Sequence, residues 1–288
     1  MAQKYSRIVL MVRKTTEDII GVLKDALVWL KKLEVSVFWE EETAKLVNEL
    51  DNLEVLPWLK ISDRDLVITF GGDGCFLSGA RLVLPTRAAI LGINCGRSFG
   101  FLTDIDVNNF DELLEVIKGN GVEENRSVLS INTREQQFSV INEIAIFSSI
   151  DKKGIFSCLL RVDDQQLINY RVDGLIIATP TGSTGHALSA GGTILSPQMS
   201  AIEVVPVLSQ HLGMRPLILP EETSLEFLLD NRGICRDYSI VLDGYEQRML
   251  AEPIFIKMAS LKLRCVHHKN YNFFKVINNK LRWQWDFS

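Results

Sequence analysis

LVITFGGDGCFLSGARLV, residues 66–83, decides how the first part of the chain folds. Residues 66–70 are apolar at nearly every position, the pattern of a strand covered on both sheet faces. Residues 75–83 predict a helix. Between them stand Gly71, Gly72, Asp73 and Gly74. In open α/β sheets ligands bind beyond the carboxyl ends of the strands, often against a helix N-terminus. Glycines let the backbone approach a phosphate and turn its N–H groups inward. Asp73, a single carboxylate among three glycines, suits the orientation or deprotonation of a hydroxyl, or the placing of a divalent cation. It equally suits a tight turn in which it caps the helix.

Outward from this turn, strands and helices alternate. Residues 8–12, 35–39 and 89–93 form apolar runs that predict further buried strands. Thr15, Thr16, Glu17 and Asp18 offer a hydroxyl cap and an acidic first turn to a helix whose apolar positions are Ile19, Ile20, Leu23, Ala26, Leu27 and Leu30. Residues 41–50 and 111–118 predict two more helices. Such alternation implies a parallel sheet with right-handed crossovers. From about Ser127 the rhythm becomes strand after strand: 128–133, 138–148, 155–162, 166–171, 175–179, 217–219, 224–229 and 239–242. Turn clusters at 151–154 and 163–164 separate some of these, and one helix interrupts near 184–191. The expected architecture is an α/β domain over residues 1–126, completed by the tail 266–288, with a β-rich, sandwich-like domain over 127–265.

Composition narrows the function classes. The 288 residues are 47% hydrophobic and 23% charged, with a net charge of −5. That balance suits a globular chain and opposes a general nucleic-acid binder, which carries a basic surplus. Five scattered cysteines without a CxxC pair read as free thiols of a reducing cytoplasm. No apolar run approaches the length of a membrane span. There is no HExxH, P-loop or G-x-S-x-G string, so zinc hydrolase, P-loop and α/β-hydrolase readings lose their main support.

Two further segments carry chemistry. Asn142 and Glu143 lie inside the apolar run 138–147, where an amide and an acid are costly to bury unless they bind something. Standing on a solvated face would serve them as well. Residues 173–192, DGLIIATPTGSTGHALSAGG, end a strand and turn through small polar residues into a helix start with several free hydroxyls and amides. Such a turn can hold a ribose or a phosphate. Asp243 and Gly244 read as an ordinary turn. His267 and His268 are adjacent, so in a strand they would face opposite sides and could not chelate one metal together. Cys75, near a helix start, is either a stabilised thiolate or a small buried filler.

In this order and at these separations, GGDG, the Asn142–Glu143 pair and DGxxxxTPTGSTxxxxSAGG resemble the NAD kinase family. So do LGIN at 91–94, GFLTD at 100–104 and RPL at 215–217, and the likeness spans nearly the whole chain. The resemblance implies transfer of the γ-phosphoryl group of ATP to the 2′-hydroxyl of the adenosine ribose of NAD. Asp73 would be the proton acceptor, with Gly71 and Gly72 in the donor's phosphate turn and Gly74 holding the adjacent backbone against the dinucleotide. Asn142 and Glu143 would grip a ribose, and Asp173 would face the nicotinamide end. Phe101, Thr184, Gly185, His186, Ala187, Leu188 and Ser189 would line the dinucleotide pocket. Lys153 and Arg171 would supply positive charge to phosphates. Mg²⁺ would accompany ATP, with no residue assigned as a metal ligand. A cytoplasmic homodimer or homotetramer without membrane or nucleic-acid partners is implied.

The chain departs from the family pattern where TGSTAY reads TGSTGH, placing Gly185 and His186 in the pocket, and where SAGGP ends on Thr193. The loop 94–101 is one residue longer, and Cys75 follows GGDG. Two other functions stay open on these residues. One is a lipid or sphingoid kinase, which shares GGDG. The other is a non-catalytic NAD-binding regulator.

Overall fold

The computed structural model describes residues 4–47, 50, 53–95, 100–107, 109–148, 156–163, 166–230, 238–248 and 252–283. The chain divides into two compact units. One comprises residues 1–125 with 263–288, the other residues 126–262.

The first unit is built on β1 (Arg7–Met11), α1 (Glu17–Leu30), β2 (Ser36–Trp39), α2 (Glu41–Leu46), β3 (Leu66–Gly71), α3 (Asp73–Val83), β4 (Ala89–Asn94), β5 (Ile105–Asp106), α4 (Phe110–Lys118) and β6 (Val122–Arg126). The strand Leu263–His267 and the helix Phe273–Leu281 return to it from the end of the chain. The sheet order is β2-β1-β3-β4, then Leu263–His267, then β6, with β5 paired to β4. Pairing is parallel from β2 across to Leu263–His267. β3 and β4 are buried almost throughout, as the continuous apolar runs required. Thr16 caps α1 by accepting from the Ile19 N–H at 3.3 Å.

The second unit contains two six-stranded sheets. Their inner faces share one core, in which Ile144, Ile146, Leu175 and Ile177 of one sheet meet Leu129, Cys158, Phe227 and Ile256 of the other. The opposite face of the first of these sheets is also covered. Ala145, Ile176, Ala178 and Val205 pack beneath Ala187 of the short helix His186–Ser189. Double coverage explains why residues 144–147 and 175–178 are apolar without alternation.

Several expectations change. The run 138–148 is two strands, Gln137–Val140 and Glu143–Ser148, which belong to different sheets. Ile141 and Asn142 are the crossing point, so Asn142 is not in mid-strand. The helix expected over 41–50 ends at Leu46. The helix expected near 184–191 is a 3₁₀ turn, Gly182–Thr184, followed by the four residues His186–Ser189. Strands Ala201–Val207, Ile254–Met258 and Leu263–His267, and helix Phe273–Leu281, were not anticipated. In the first, Pro206 is tolerated because pairing on one side stops at Val204, so its missing N–H falls where only one neighbour lies alongside.

Glu123 of β6 ties the returning tail to the start of the chain. It accepts from Arg264 Nε at 3.1 Å, from Arg264 Nη2 at 3.0 Å and from Tyr5 Oη at 2.8 Å, and it also pairs with Lys4. The Arg264 hydrogen bonds, against the opposing effect of partial burial, hold its carboxyl down to about 2. A depressed carboxyl contributes stability that is present above its unfolded value and lost as pH falls through the folded one. Thermal melts of wild type and Glu123→Gln between pH 7 and 2 should therefore converge as pH drops below about 4.5. A constant separation across that range would remove the ionised carboxylate from the account.

Candidate active site

In the first unit, β3 delivers the glycine turn to the N-terminus of α3. Gly71 admits no side chain, since a Cβ there would lie 2.8 Å from Cys75 Cβ. A Cβ on Gly72 or Gly74 would meet nothing within 4 Å, so both face open space. The helix starts at Asp73 with Gly72 as its cap residue and no side-chain cap bond. Asp73 is therefore not the helix cap. Its carboxylate reaches the loop after β4, where Oδ2 accepts from the Phe101 N–H at 2.8 Å and Oδ1 from the Leu102 N–H at 3.0 Å. Thr103 Oγ1 lies 3.5 Å from Oδ1. Gly100 is obligatory beside it, because a Cβ there would fall 1.7 Å from Asp73 Oδ1. The first N–H groups of any helix lack intrahelical partners, so the turn offers amides to an anion and a fixed carboxylate to a proton.

Burial pushes the thiol of Cys75 up to about 11 and that of Cys95 up to about 12. Cys75 is the packed filler, and neither residue is a thiolate near neutral pH.

In the second unit, the strand Gly174–Ala178 delivers the other motif. Asp243 and Gly244 form the two-residue turn between Tyr238–Leu242 and Tyr245–Arg248, both with positive φ (48° and 80°). The turn is more than a connection. Asp243 is buried and its carboxylate accepts from Ile141 N–H at 3.0 Å and Asn142 N–H at 2.6 Å. This fixes the chain where it crosses between sheets. Thr179 locks the next segment on, donating from Oγ1 to Ile141 O at 2.6 Å and from its N–H to Asn142 O at 2.9 Å. Gly182 must be glycine, since a Cβ would sit 2.1 Å from Asn142 O.

The hydroxyls expected to be free are mostly engaged. Thr179 Oγ1 also accepts from Gly182 N–H, Ser183 donates to Pro180 O and accepts from Leu195 N–H, and Thr184 donates to Thr181 O. Buried atoms without partners flank this turn, among them Asn142 Oδ1, Glu143 Oε2 and Thr181 Oγ1. Glu143 is 2% exposed, and its Oε1 lies 2.8 Å from His186 Nδ1. Burial raises its carboxyl, opposed by His186 and reinforced by Asp243.

Glu203 is a residue that sequence reasoning missed. It and Glu143 flank Ala178 on neighbouring strands, so the two acids stand on one sheet face roughly 10 Å apart, beneath His186–Ser189. Glu203 Oε1 accepts from Thr193 N–H, Oε2 has no partner, and burial raises its carboxyl too. The signal was an acid inside an apolar run, the same signal that marked Glu143.

The remaining candidates are dispersed. Ala187 is packed in the core, Leu188 is half-buried, and Ser189, Asp173 and Arg171 are exposed. Among the described residues, no side-chain contact joins Asp173 or Arg171 to Glu143 or His186. Lys153 lies outside the described residues. His267 and His268 do not face opposite ways. The strand ends at His267, and both rings approach Asp104 Oδ2, at 3.2 Å and 3.9 Å. Asp104 Oδ1 is buried without a partner. Among the described residues no group of three or more His, Cys, Asp or Glu side chains could hold a metal ion.

A glycine turn that offers amides and an aspartate at the C-terminal end of a parallel sheet, joined in one chain to a nook of acceptors for hydroxyl groups, defines a nucleotide-dependent phosphotransferase. Residues 8–120 match the model of the ATP-NAD kinase N-terminal domain, and residues 141–259 match that of the ATP-NAD kinase C-terminal domain. An NAD kinase of Legionella pneumophila (strain Corby) is 33% identical over 294 residues, covering 99% of this chain and 98% of its own. An NAD kinase of Blochmanniella pennsylvanica is 35% identical over 271 residues, covering 88% and 87%. Among solved structures, yeast NADH kinase complexed with NADH superposes with a TM-score of 0.84 at 23% identity, over 99% of this chain and 89% of its own. An NAD kinase from Archaeoglobus fulgidus in complex with ATP gives 0.72 at 26% identity, over 96% and 98%. The chain belongs to the NAD kinase family, and its function is that of an NAD kinase. No helix among the described residues is long and apolar enough to cross a membrane.

Gly100→Ala tests the cradle around Asp73. Displacing a reacting group by about an ångström costs on the order of a hundredfold in rate. The variant should lose about that much kcat for NADP formation while its melting temperature stays close to that of wild type. An unchanged kcat would show that Asp73 need not occupy this position.

Proposed function

We propose that Asp73 accepts the proton of the adenosine 2′-hydroxyl of NAD as the γ-phosphoryl group of ATP is transferred to that oxygen, and that Asn142 and Glu143 hold a ribose of the dinucleotide. The observation that carries this reading is the group of partnerless buried atoms, Asn142 Oδ1, Glu143 Oε2 and Thr181 Oγ1, beside the Gly182–Thr184 turn. A buried acceptor without a donor is costly, and ribose hydroxyls are donors of the required kind. His186, tethered to Glu143 Oε1, leaves the second oxygen for such a hydroxyl.

Phosphoryl transfer depends on positioning and charge neutralisation more than on covalent participation by the protein. Asp73 therefore acts by aligning the hydroxyl and taking its proton late, as the bond to phosphorus forms. The two N–H donors on its carboxylate hold it for that role. Gly71, Gly72 and the start of α3 receive phosphate oxygens. Gly74 and Phe101 back the dinucleotide, Thr184, Gly185, Ala187, Leu188 and Ser189 form the turn that receives it, Asp173 meets its nicotinamide end, and Arg171 and Lys153 contribute positive charge.

Mg²⁺ usually binds one or two carboxylates together with substrate phosphates. The residues present fit that habit, since Asp104 Oδ1 is buried and partnerless. Asp104 would hold the ion, which supplies charge neutralisation on the triphosphate when bound. The enzyme is proposed to work in the cytoplasm as a homodimer or homotetramer, without nucleic-acid or membrane partners.

The test is NADP formation from NAD and MgATP, wild type beside Asp73→Asn. Loss of a general base costs roughly 10²- to 10⁴-fold. The expected result is a drop of that size in kcat with NAD affinity retained by calorimetry. Equal rates in the two proteins would remove Asp73 from the chemistry, and NAD binding without turnover in the wild type would overturn the catalytic reading altogether.

A further inference from the structure

The first unit contains a cavity of about 580 Å³ beside the Asp73 cradle. One wall is a face of the helix Phe273–Leu281: Asn272, Lys275, Val276 and Asn279 recur at the three- and four-residue intervals that place side chains in one row, and Lys280 and Arg282 extend the wall. The opposite wall is the segment Gly100, Thr103 and Asp104. The cavity is thus lined by three cationic side chains, three amides and an imidazole, against one carboxylate. Among the described residues Lys275 and Arg282 have no ion-pair partner, in a chain whose net charge is −5. Cations left unpaired along a concave wall of an acidic protein attract an anion rather than a structural acid.

The cavity also adjoins Asp73. Gly100 lies against the Asp73 carboxylate, Thr103 Oγ1 is 3.5 Å from its Oδ1, and both residues line the cavity. Lys280 Nζ stands 5.8 Å from the ring centroid of Phe101, whose N–H holds Asp73 Oδ2. Asp104, the acid in the wall, has Oδ2 against His267 Nδ1 and the His268 N–H, while Oδ1 is free for a cation carried in by the anion.

We propose that this cavity binds the polyphosphate chain of the phosphoryl donor, with Lys275 and Arg282 as its principal charge contacts. The proposal rests on the kinase reading and adds to it where the donor's charge is held. A polyphosphate chain is common to a nucleoside triphosphate and to inorganic polyphosphate, and the chemistry in the wall is the same for both.

The experiment measures donor and acceptor kinetics separately in wild type, Lys275→Gln, Arg282→Gln and the double variant, with MgATP in one arm and magnesium tripolyphosphate in the other. Both side chains are exposed, so neither substitution should disturb folding. Each single variant should raise the donor KM about tenfold, the size expected for one charge-assisted contact, and leave the NAD KM where it was. A rise in the MgATP arm alone assigns the cavity to the nucleotide, and a rise in both assigns it to the phosphate chain itself. Calorimetric binding of magnesium tripolyphosphate to the protein without NAD is the readout independent of turnover, and it should weaken by a similar factor. Unchanged donor KM and unchanged tripolyphosphate binding would overturn the proposal, as would a rise in the NAD KM instead. A wild type that binds tripolyphosphate here yet makes no NADP would overturn the kinase reading and leave the anion site standing.

Discussion

Asp243 places both oxygens on the N–H groups of Ile141 and Asn142, at the point where the chain leaves one sheet of the sandwich for the other. A strand that changes sheets must give up its ladder bonds there, and orphaned buried N–H groups are rarely tolerated. A carboxylate is the acceptor with enough lone pairs to satisfy two of them at once. Its own burial is offset by those bonds. Everything in the second unit's site is then hung from the fixed crossing: Thr179 bonds to Ile141 and Asn142, Gly182 rests on Asn142, and Glu143 begins the next strand facing His186.

The same accounting operates in the first unit with the roles exchanged. There the loop after β4 supplies the N–H groups and the helix α3 supplies the carboxylate. An aspartate at the first position of a helix already sits in a favourable field. Two further donors confine it to one orientation, which a solvated carboxylate would not keep. The neighbours that permit this are those with no side chain to interfere, above all Gly100.

How much of this was legible follows from where the information lies. Buried strands such as β3 and β4 were readable because continuous apolar runs have few other uses. The glycine turn was readable because its residues serve the local backbone. The break at Ile141–Asn142 was not readable, since the cause is Asp243, about a hundred positions away in the chain. The hydroxyls of residues 179–184 looked available because nothing local says that Thr179 must answer to Ile141 or Ser183 to Leu195. The strand carrying Glu203 escaped notice because Pro206 argues against a strand until its one-sided pairing is seen. His267 and His268 misled for the opposite reason, since strand alternation was applied one residue past the strand's end.

The placement of Glu143 shows how the two kinds of constraint combine. Buried with its carboxyl raised, it would be a poor hydrogen-bond acceptor if it simply held its proton. The exposed ring of His186, reaching Oε1 at 2.8 Å, works against that by favouring the ionised form. The tether occupies one oxygen and leaves Oε2 as the acceptor that a ligand hydroxyl can use. Access to Oε2 then depends on residue 185, where a Cβ would stand 3.1 Å from that oxygen and crowd the approach. Glycine at 185 and histidine at 186 are therefore one arrangement, in which the first keeps open one oxygen of Glu143 while the second occupies the other.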